Sequence, residues 1–358
     1  MVTLNHKNND EKSFGPEDEK DKKKVKAVAL LSGGLDSSLA VRMMLDQGVD
    51  VEAIAIKTPF CDFDCGKGCG HKVKEVATEL GIRLQTVYFG DEYLKMLKNP
   101  KYGYGSGMNP CIDCRGMMYN AAKKHMEKIN ADFIVTGEVL GQRPMSQNHR
   151  SFDIIENETN TQGKILRPLS AKHLPITEIE KEGLVNRKNL KNIKGRSRKI
   201  QLSLANKYEI IDPPNAAGGC LLTDPMFSKR VKDLYKHEKN VPTINDIELL
   251  KIGRHFRLNA DCKLIVGRNE SENFMVDSLY ENSDWILYAK DYAGPVGLLR
   301  GENIETDEKL ITISAKIILR YADVPKDKES VVKIKTKNFE YEISTVPFKD
   351  QEISSFRI

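Results

Sequence analysis

No apolar stretch of this 358-residue sequence approaches the roughly 20 residues that a membrane-spanning helix needs, and no apolar core of a secretion signal opens the chain. No membrane partner is expected, and the cytoplasm is the expected compartment. No internal repeat is present. Two narrower absences carry more information. In "LLSGGLDSSLA", Leu30 to Ala40, no lysine follows the glycines, so the grip of a Walker loop on β- and γ-phosphates is missing. From Asn186 to Lys199, "NRKNLKNIKGRSRK" contains no acid and seven bases, although the net charge of the chain is only +5.

What surrounds the glycines is informative. "VKAVALL" is a short aliphatic run that reads as a strand, and Leu39, Ala40, Met43 and Met44 share one face of a following helix. Gly33 and Gly34 then supply a sharp turn with close backbone approach, and Ser37 and Ser38 sit at the positive end of the helix, where anions bind. The bland reading is a tight turn with Ser37 as helix cap. Asp36 argues against it, because a carboxylate in an anion nest is costly unless it orients a metal or a nearby donor.

"SGGLDSS" resembles the PP-loop, SGGxDS, of ATP pyrophosphatases, which cleave ATP between the α- and β-phosphates and adenylate a carbonyl oxygen. The resemblance implies ATP and Mg2+ on Ser32, Gly33, Gly34, Asp36, Ser37 and Ser38, with Asp36 catalytic. It names a superfamily that includes tRNA thiouridine synthetases, asparagine and GMP synthetases, and the 7-cyano-7-deazaguanine synthase.

Downstream, strand-like runs such as "VDVEAIAIKT", "IRLQTVYF" and "ADFIVTG" alternate with helical ones, which argues an α/β fold with a parallel sheet covered on both faces. The resemblance makes that sheet the Rossmann-like type of PP-loop proteins. Ligands of such sheets sit beyond the carboxyl ends of the strands, so Ser32–Ser38, Lys57–Cys69, Met108–Cys114 and Thr136–Gln147 are expected on one rim. Residues 1–24 read as a disordered tail and 25–225 as the ATP-binding catalytic domain. A linker is expected at 226–250, a smaller α+β domain at 251–323 and a hairpin-like β extension at 324–358.

Seven cysteines in a reducing compartment suggest metal or sulfur chemistry. "NPCIDCR" puts Cys111 and Cys114 at a loop-to-helix junction beside Arg115, and "AAGGCLL" offers Cys220 from a glycine-rich loop. A redox pair and a buried structural Cys220 are the plain alternatives. With "ADFIVTGEVLGQRPMSQ", the stretch resembles PP-loop tRNA thiolation enzymes. In the cluster-dependent tRNA thiouridine synthetases three such cysteines hold a [4Fe-4S] cluster with one open iron, which implies Cys111, Cys114 and Cys220 as ligands. In the cluster-free type the first and last act as a persulfide pair, which implies Cys111 and Cys220 as catalytic. Gly137 with Glu138 resembles a TGH-like nucleotide contact, with Glu in place of His. Arg143 and Gln147 are candidates for contact with nucleotide or RNA. "FCDFDCGKGCGH", with Cys61, Cys65, Cys69 and His71, has three open readings: a second metal site, a sulfur relay or a lid.

The acid-free run suits a phosphate backbone as well as a plain solvated face, with Arg187, Lys188, Arg196 and Arg198 as nucleic-acid candidates. "CKLIVGRNESENF" and "AKDYAGPVG" resemble the RNA-binding region of NFACT-type proteins. There Trp285 reads as core, and Tyr292 and Arg300 as candidates for base stacking or phosphate pairing. Together these features favour ATP-dependent tRNA uridine thiolation, with tRNA and a sulfur donor, protein or inorganic sulfide, as partners. A homodimer is compatible with this reading. Two alternatives stand beside it: a PP-loop ligase of a small molecule, such as a zinc-containing deazaguanine-type synthase, and a non-catalytic RNA binder that retains the loop.

Overall fold

The computed structural model describes residues 24–60, 69–210 and 220–358. The expected tail up to residue 23, Cys61, Cys65 and most of the loop before Cys220 lie outside the described residues, as do the side chains of Cys69 and His71.

The first part alternates strands and helices: β1 (Lys26–Leu30), α1 (Leu35–Leu45), β2 (Asp50–Lys57), α2 (Cys69–Glu79), β3 (Arg83–Tyr88), α3 (Asp91–Lys98), α4 (Cys111–Lys128), β4 (Phe133–Thr136), α5 (His149–Thr159) and β5 (Ile165–Leu166). Short α6 (Glu178–Lys181) and α7 (Lys199–Lys207) follow. The five strands form one parallel sheet in the order β3-β2-β1-β4-β5. Side chains of successive strand residues point to opposite faces, and the core divides accordingly. Ala27, Ala29, Ala53, Phe133 and Val135 pack under α1 and α2, while Val28, Leu30, Ile54 and Ile134 pack under α4 and α5. Both faces are therefore buried, as the aliphatic strand sequences require. Chain order reverses about β1, so the crevice beyond the ends of β1 and β4 is the switch point where such sheets bind ligands.

The chain continues into α8 (Pro225–His237) and α9 (Ile244–Lys251), then β6 (Arg254–Arg257), β7 (Lys263–Val266), α10 (Glu270–Ser278), β8 (Trp285–Ala289), β9 (Gly297–Arg300), α11 (Glu308–Tyr321), β10 (Ser330–Lys335), β11 (Glu340–Thr345) and α12 (Asp350–Ile353). Its six strands pair antiparallel in the order β11-β10-β8-β9-β7-β6. Helix α11 covers one face of this sheet, and α9 and α10 the other. The β10–β11 hairpin adds to the sheet edge through β8, and the chain end returns to β6 at the opposite edge, with Ile358 N donating to His255 O. Trp285 is core, edge-on to Phe339 and Tyr341 of the hairpin.

Helices α8 and α9 join the two sheets. Phe227, Val231, Leu234, Ile247 and Leu250 share a hydrophobic cluster with Tyr93, Leu94 and Leu97 of α3 and with Phe60 and Met108. On the side of the second sheet, Arg257 of β6 donates to Asp233 of α8, and Lys263 of β7 lies 3.9 Å from the same carboxylate.

Candidate active site

The PP-loop is built by local bonds. Gly33 has φ of +72°, a left-handed conformation that favours glycine. Helix α1 starts at Leu35 with Gly34 as its N-cap, so Ser37 lies inside the first turn and is not the cap. Ser37 Oγ donates to Gly34 O at 2.8 Å and accepts from Ser32 N at 3.3 Å, and Ser38 Oγ donates to Gly34 O at 3.1 Å. These bonds close the loop upon itself around the helix N-terminus, where backbone amides and the helix dipole favour an anion. Gly137, just past β4, packs against this turn: a Cβ there would collide with the backbone of Asp36 and Ser37.

A cavity of about 440 Å³ opens over the loop, within the range of about 300–1,000 Å³ typical of small-molecule sites. Ser32, Gly34, Asp36, Ser37 and Gly137 line it, with Arg115 from α4, Gln142, Arg143 and Gln147 from the segment after β4, and Arg196 and Arg198 from the basic run. Asp36 Oδ2 accepts from Gln142 Nε2 at 2.9 Å, whereas Asp36 Oδ1 is buried without a hydrogen-bond partner. An orphaned carboxylate oxygen in a phosphate cradle fits a site for Mg2+ carried in with ATP.

The floor of the cavity is a polar network, in which Glu138 Oε1 is buried without a hydrogen bond. Glu138, 2% exposed, accepts from Tyr119 OH and from Arg167 Nε and pairs with Arg115 Nε at 3.6 Å. Arg167 also donates to Tyr119 OH and to Glu156, and its guanidinium stacks over the ring of Phe152. Burial pushes the Glu138 carboxyl up, but Arg167 and Arg115 outweigh it and hold the group below its ordinary value. Glu138 is thus an ionised structural anchor under the cavity. Tyr119, Glu156 and Arg167 were not singled out by the sequence reading, since only the fold brings α4, α5 and the end of β5 together.

Both Cys111 and Cys114 fall in the first turn of α4, which starts directly after Pro110, at the expected loop-to-helix junction. The segment with Cys220 is held against the loop before α4: Met108 N donates to Leu222 O at 3.0 Å, and Gly107, at φ +66°, has no room for a Cβ beside Leu222 O and Ser228. Cys114 and Cys220 pack on the same apolar cluster. Cys111 and Cys220 both lie within the electrostatic reach of Arg143, as does Asp36. The expectation of a favoured thiolate needs correction: burial pushes the Cys111 thiol up, and Arg115 and Arg143 draw it back only in part. Among the described residues no three His, Cys, Asp or Glu side chains converge on the spacing of a metal site. As placed, then, Cys111, Cys114 and Cys220 share a rim without forming a three-point ligand set.

The basic run splits. Arg187 is built into the fold, its Nη1 pairing with Glu180 at 2.6 Å and its Nη2 donating to Ala171 O and Leu174 O. Lys188 is exposed, and Arg196 and Arg198 turn to the cavity. In the second sheet Arg300 is consumed by Asp284 and Asp246, while Tyr292 remains 43% exposed. No helix among the described residues is long and apolar enough to cross a membrane.

Residues 23–182 match the family model described as thiamine biosynthesis protein (ThiI), and residues 253–357 match that of the NFACT protein RNA binding domain. A probable tRNA sulfurtransferase of Lysinibacillus sphaericus is 36% identical over 163 residues, which cover 44% of this chain and 38% of that protein. A tRNA-specific 2-thiouridylase of Marinobacter nauticus is 26% identical over 175 residues, covering 44% of each. The chain thus spans less than half the length of these relatives. Among solved structures, a 4-thiouridine synthetase in complex with RNA and ATP is 25% identical, with a TM-score of 0.32, and the match covers 52% of this chain and 50% of that one. The chain thus joins a segment that matches the ThiI family model, residues 23–182, to one that matches the NFACT RNA-binding domain model, residues 253–357.

Proposed function

We propose that the protein is a tRNA sulfurtransferase that activates a uridine carbonyl with ATP and replaces its oxygen with sulfur. One observation carries this reading: Arg143, which lines the PP-loop cavity, is also within electrostatic reach of Cys111 and Cys220, so nucleotide site and thiols share one rim. The sulfurtransferase relatives and the RNA-binding domain support tRNA as substrate.

ATP would place its phosphates on Ser32–Ser38, and Asp36, whose Oδ1 has no hydrogen-bond partner, would hold the accompanying Mg2+, which would supply charge neutralisation at the phosphates. The uracil oxygen attacks the α-phosphorus and pyrophosphate leaves. Adenylation is required because a bare carbonyl oxygen is a poor leaving group. The terminal sulfur of a persulfide on Cys111 or Cys220 then attacks the activated carbon and AMP departs. Attack of the other cysteine on the inner sulfur forms a Cys111–Cys220 disulfide and releases the thiocarbonyl. An external thiol reductant and a sulfur donor restore the persulfide. A second reading, in which Cys111, Cys114 and Cys220 would hold a [4Fe-4S] cluster, requires the three thiols to draw together from the arrangement described, which forms no three-point ligand set. Iron and sulfide analysis of anaerobically purified protein separates the two.

The test is a reaction of the intact chain with ATP, tRNA, a low-molecular-weight persulfide as sulfur donor and a thiol reductant, with nucleosides read by mass spectrometry. A thiolated uridine is expected, with AMP and pyrophosphate as co-products. Asp36→Asn should lower AMP formation by about 10²-fold, the scale of losing one preorganised electrostatic contact. ADP as product, or no thiolated nucleoside, would refute the assignment.

A further inference from the structure

The cavity has the shape of a nucleotide site but lacks, in its own loop, the cation that most phosphate loops carry. We propose that Arg143, Arg196 and Arg198 supply it as a clamp on the β- and γ-phosphates of ATP, and thereby on the departing pyrophosphate. The end of the basic run then serves the nucleotide and not RNA. This inference rests on the reading of ATP use given above.

Three observations support it. The first is the way the two arginine-bearing segments are fastened together. Leu140 and Lys194 form a parallel bridge, and Gly195 N donates to Leu140 O at 2.7 Å. Ser170 Oγ ties the same two segments, accepting from Leu140 N at 2.9 Å and donating to Ile193 O at 2.7 Å. Gly195, at φ +81°, lets the second segment turn directly after this junction. Arg143 therefore departs three residues beyond one side of the junction, and Arg196 and Arg198 soon beyond the other, and all three reach the cavity wall.

The second is registration with the phosphate loop. Gln142, next to Arg143, donates to Asp36 at 2.9 Å, which fixes the root of the clamp against the turn that receives the phosphates.

The third is charge. The cavity wall holds two carboxylates, and Glu138 is already matched by Arg167 and Arg115. Of the two, Asp36 alone is left to face the guanidinium groups of Arg143 and Arg196. Arg143 and Arg196 are exposed and make no side-chain hydrogen bond or ion pair among the described residues. Their fields add at the cavity with little internal compensation, which is the condition for holding a polyanion. A planar guanidinium also matches phosphate oxygens in bidentate fashion, a geometry that a lysine does not offer.

The clamp predicts discrimination by phosphate number. The experiment measures binding of Mg·ATP, pyrophosphate, AMP and tRNA by calorimetry to the intact chain and to a triple variant, Arg143→Gln, Arg196→Gln, Arg198→Gln. Affinity for ATP and pyrophosphate should fall at least about tenfold, while AMP affinity, which also reports that the cavity is intact, stays within about twofold. The affinity for tRNA and its salt dependence should be unchanged. Equal loss for AMP and ATP would assign the arginines a structural role and overturn the clamp. Unchanged ATP binding with weakened tRNA binding would return them to RNA and overturn it as well. If the unmodified chain binds no ATP at all, it is the parent reading that fails.

Discussion

The amide nitrogen of Ser37 occupies the space where a Cβ on Gly137 would stand. The end of β4 and the first turn of α1 are thereby in backbone contact, and the nucleotide loop is braced from the neighbouring strand. Gly137→Ala forces these backbones apart, an overpacking that costs about 1–3 kcal/mol. It should lower the melting temperature and weaken ATP binding together. An unchanged ATP affinity would show that the brace is not part of the site.

Sulfur chemistry and adenylation should separate by mutation. Cys111→Ala and Cys220→Ala are expected to abolish thiolated nucleoside yet retain ATP–pyrophosphate exchange, since neither thiol touches the PP-loop. Cys262, buried in the second domain with its Sγ donating to Glu302 O, provides the contrast. Cys262→Ala should leave thiolation intact and change only stability. Loss of exchange in the Cys111 or Cys220 variants would argue that the rim is one indivisible structure.

Arg187 and Lys188 are neighbours in sequence with opposite expected phenotypes. Glu180, whose side chain is 2% exposed, depends on Arg187 for its charge partner, so Arg187→Ala should cost about 3 kcal/mol, as removal of one partner from a buried pair does. Lys188→Gln should leave the melting temperature unchanged. If it contacts an RNA phosphate, the slope of log affinity against log salt becomes shallower by about one unit. Denaturant titration and salt-dependent tRNA binding read the two effects.

Lys263 introduces a pH dependence of stability. Burial lowers its pKa from 10.5 to about 7, Asp233 offsetting part of that cost. Below about pH 7 folded and unfolded chains both hold the proton, and no slope arises. Between about pH 7 and 10.5 the unfolded chain holds more protons, so stability should rise with pH across that window. In Lys263→Met this component is absent. The stability difference, variant minus native, should therefore shrink as pH rises from 7 to 10 in denaturant titrations. A constant difference would show that Lys263 does not titrate there.

The sites that local pattern defines were legible in the sequence. The glycine turn between an aliphatic run and a helical face required a strand-turn-helix, and Pro110 placed the Cys111–Cys114 pair at a helix entrance. What stayed hidden depends on direction and partners. A count of bases from Asn186 to Lys199 does not reveal that Arg187 folds inward onto Glu180 while Arg196 faces the cavity. Nor does it show that Arg300 is occupied by two aspartates. Glu138 looked like an altered nucleotide contact because the side chains that neutralise it come from α4 and the end of β5.

The cluster to which α3, α8 and α9 all contribute sets the grain along which this protein divides. The linker expected at 226–250 suggests two interchangeable modules, but a cut within it would strip Ile247 and Leu250 from a core that also holds Tyr93 and Leu97. A seam after α9 does no better, because Leu249 and Ile252 pack with Ile265 and Val276 of the second sheet, so this helix belongs to both cores. The intact chain should therefore melt in a single calorimetric transition, and two separate transitions would show that α8 and α9 do not couple the two sheets.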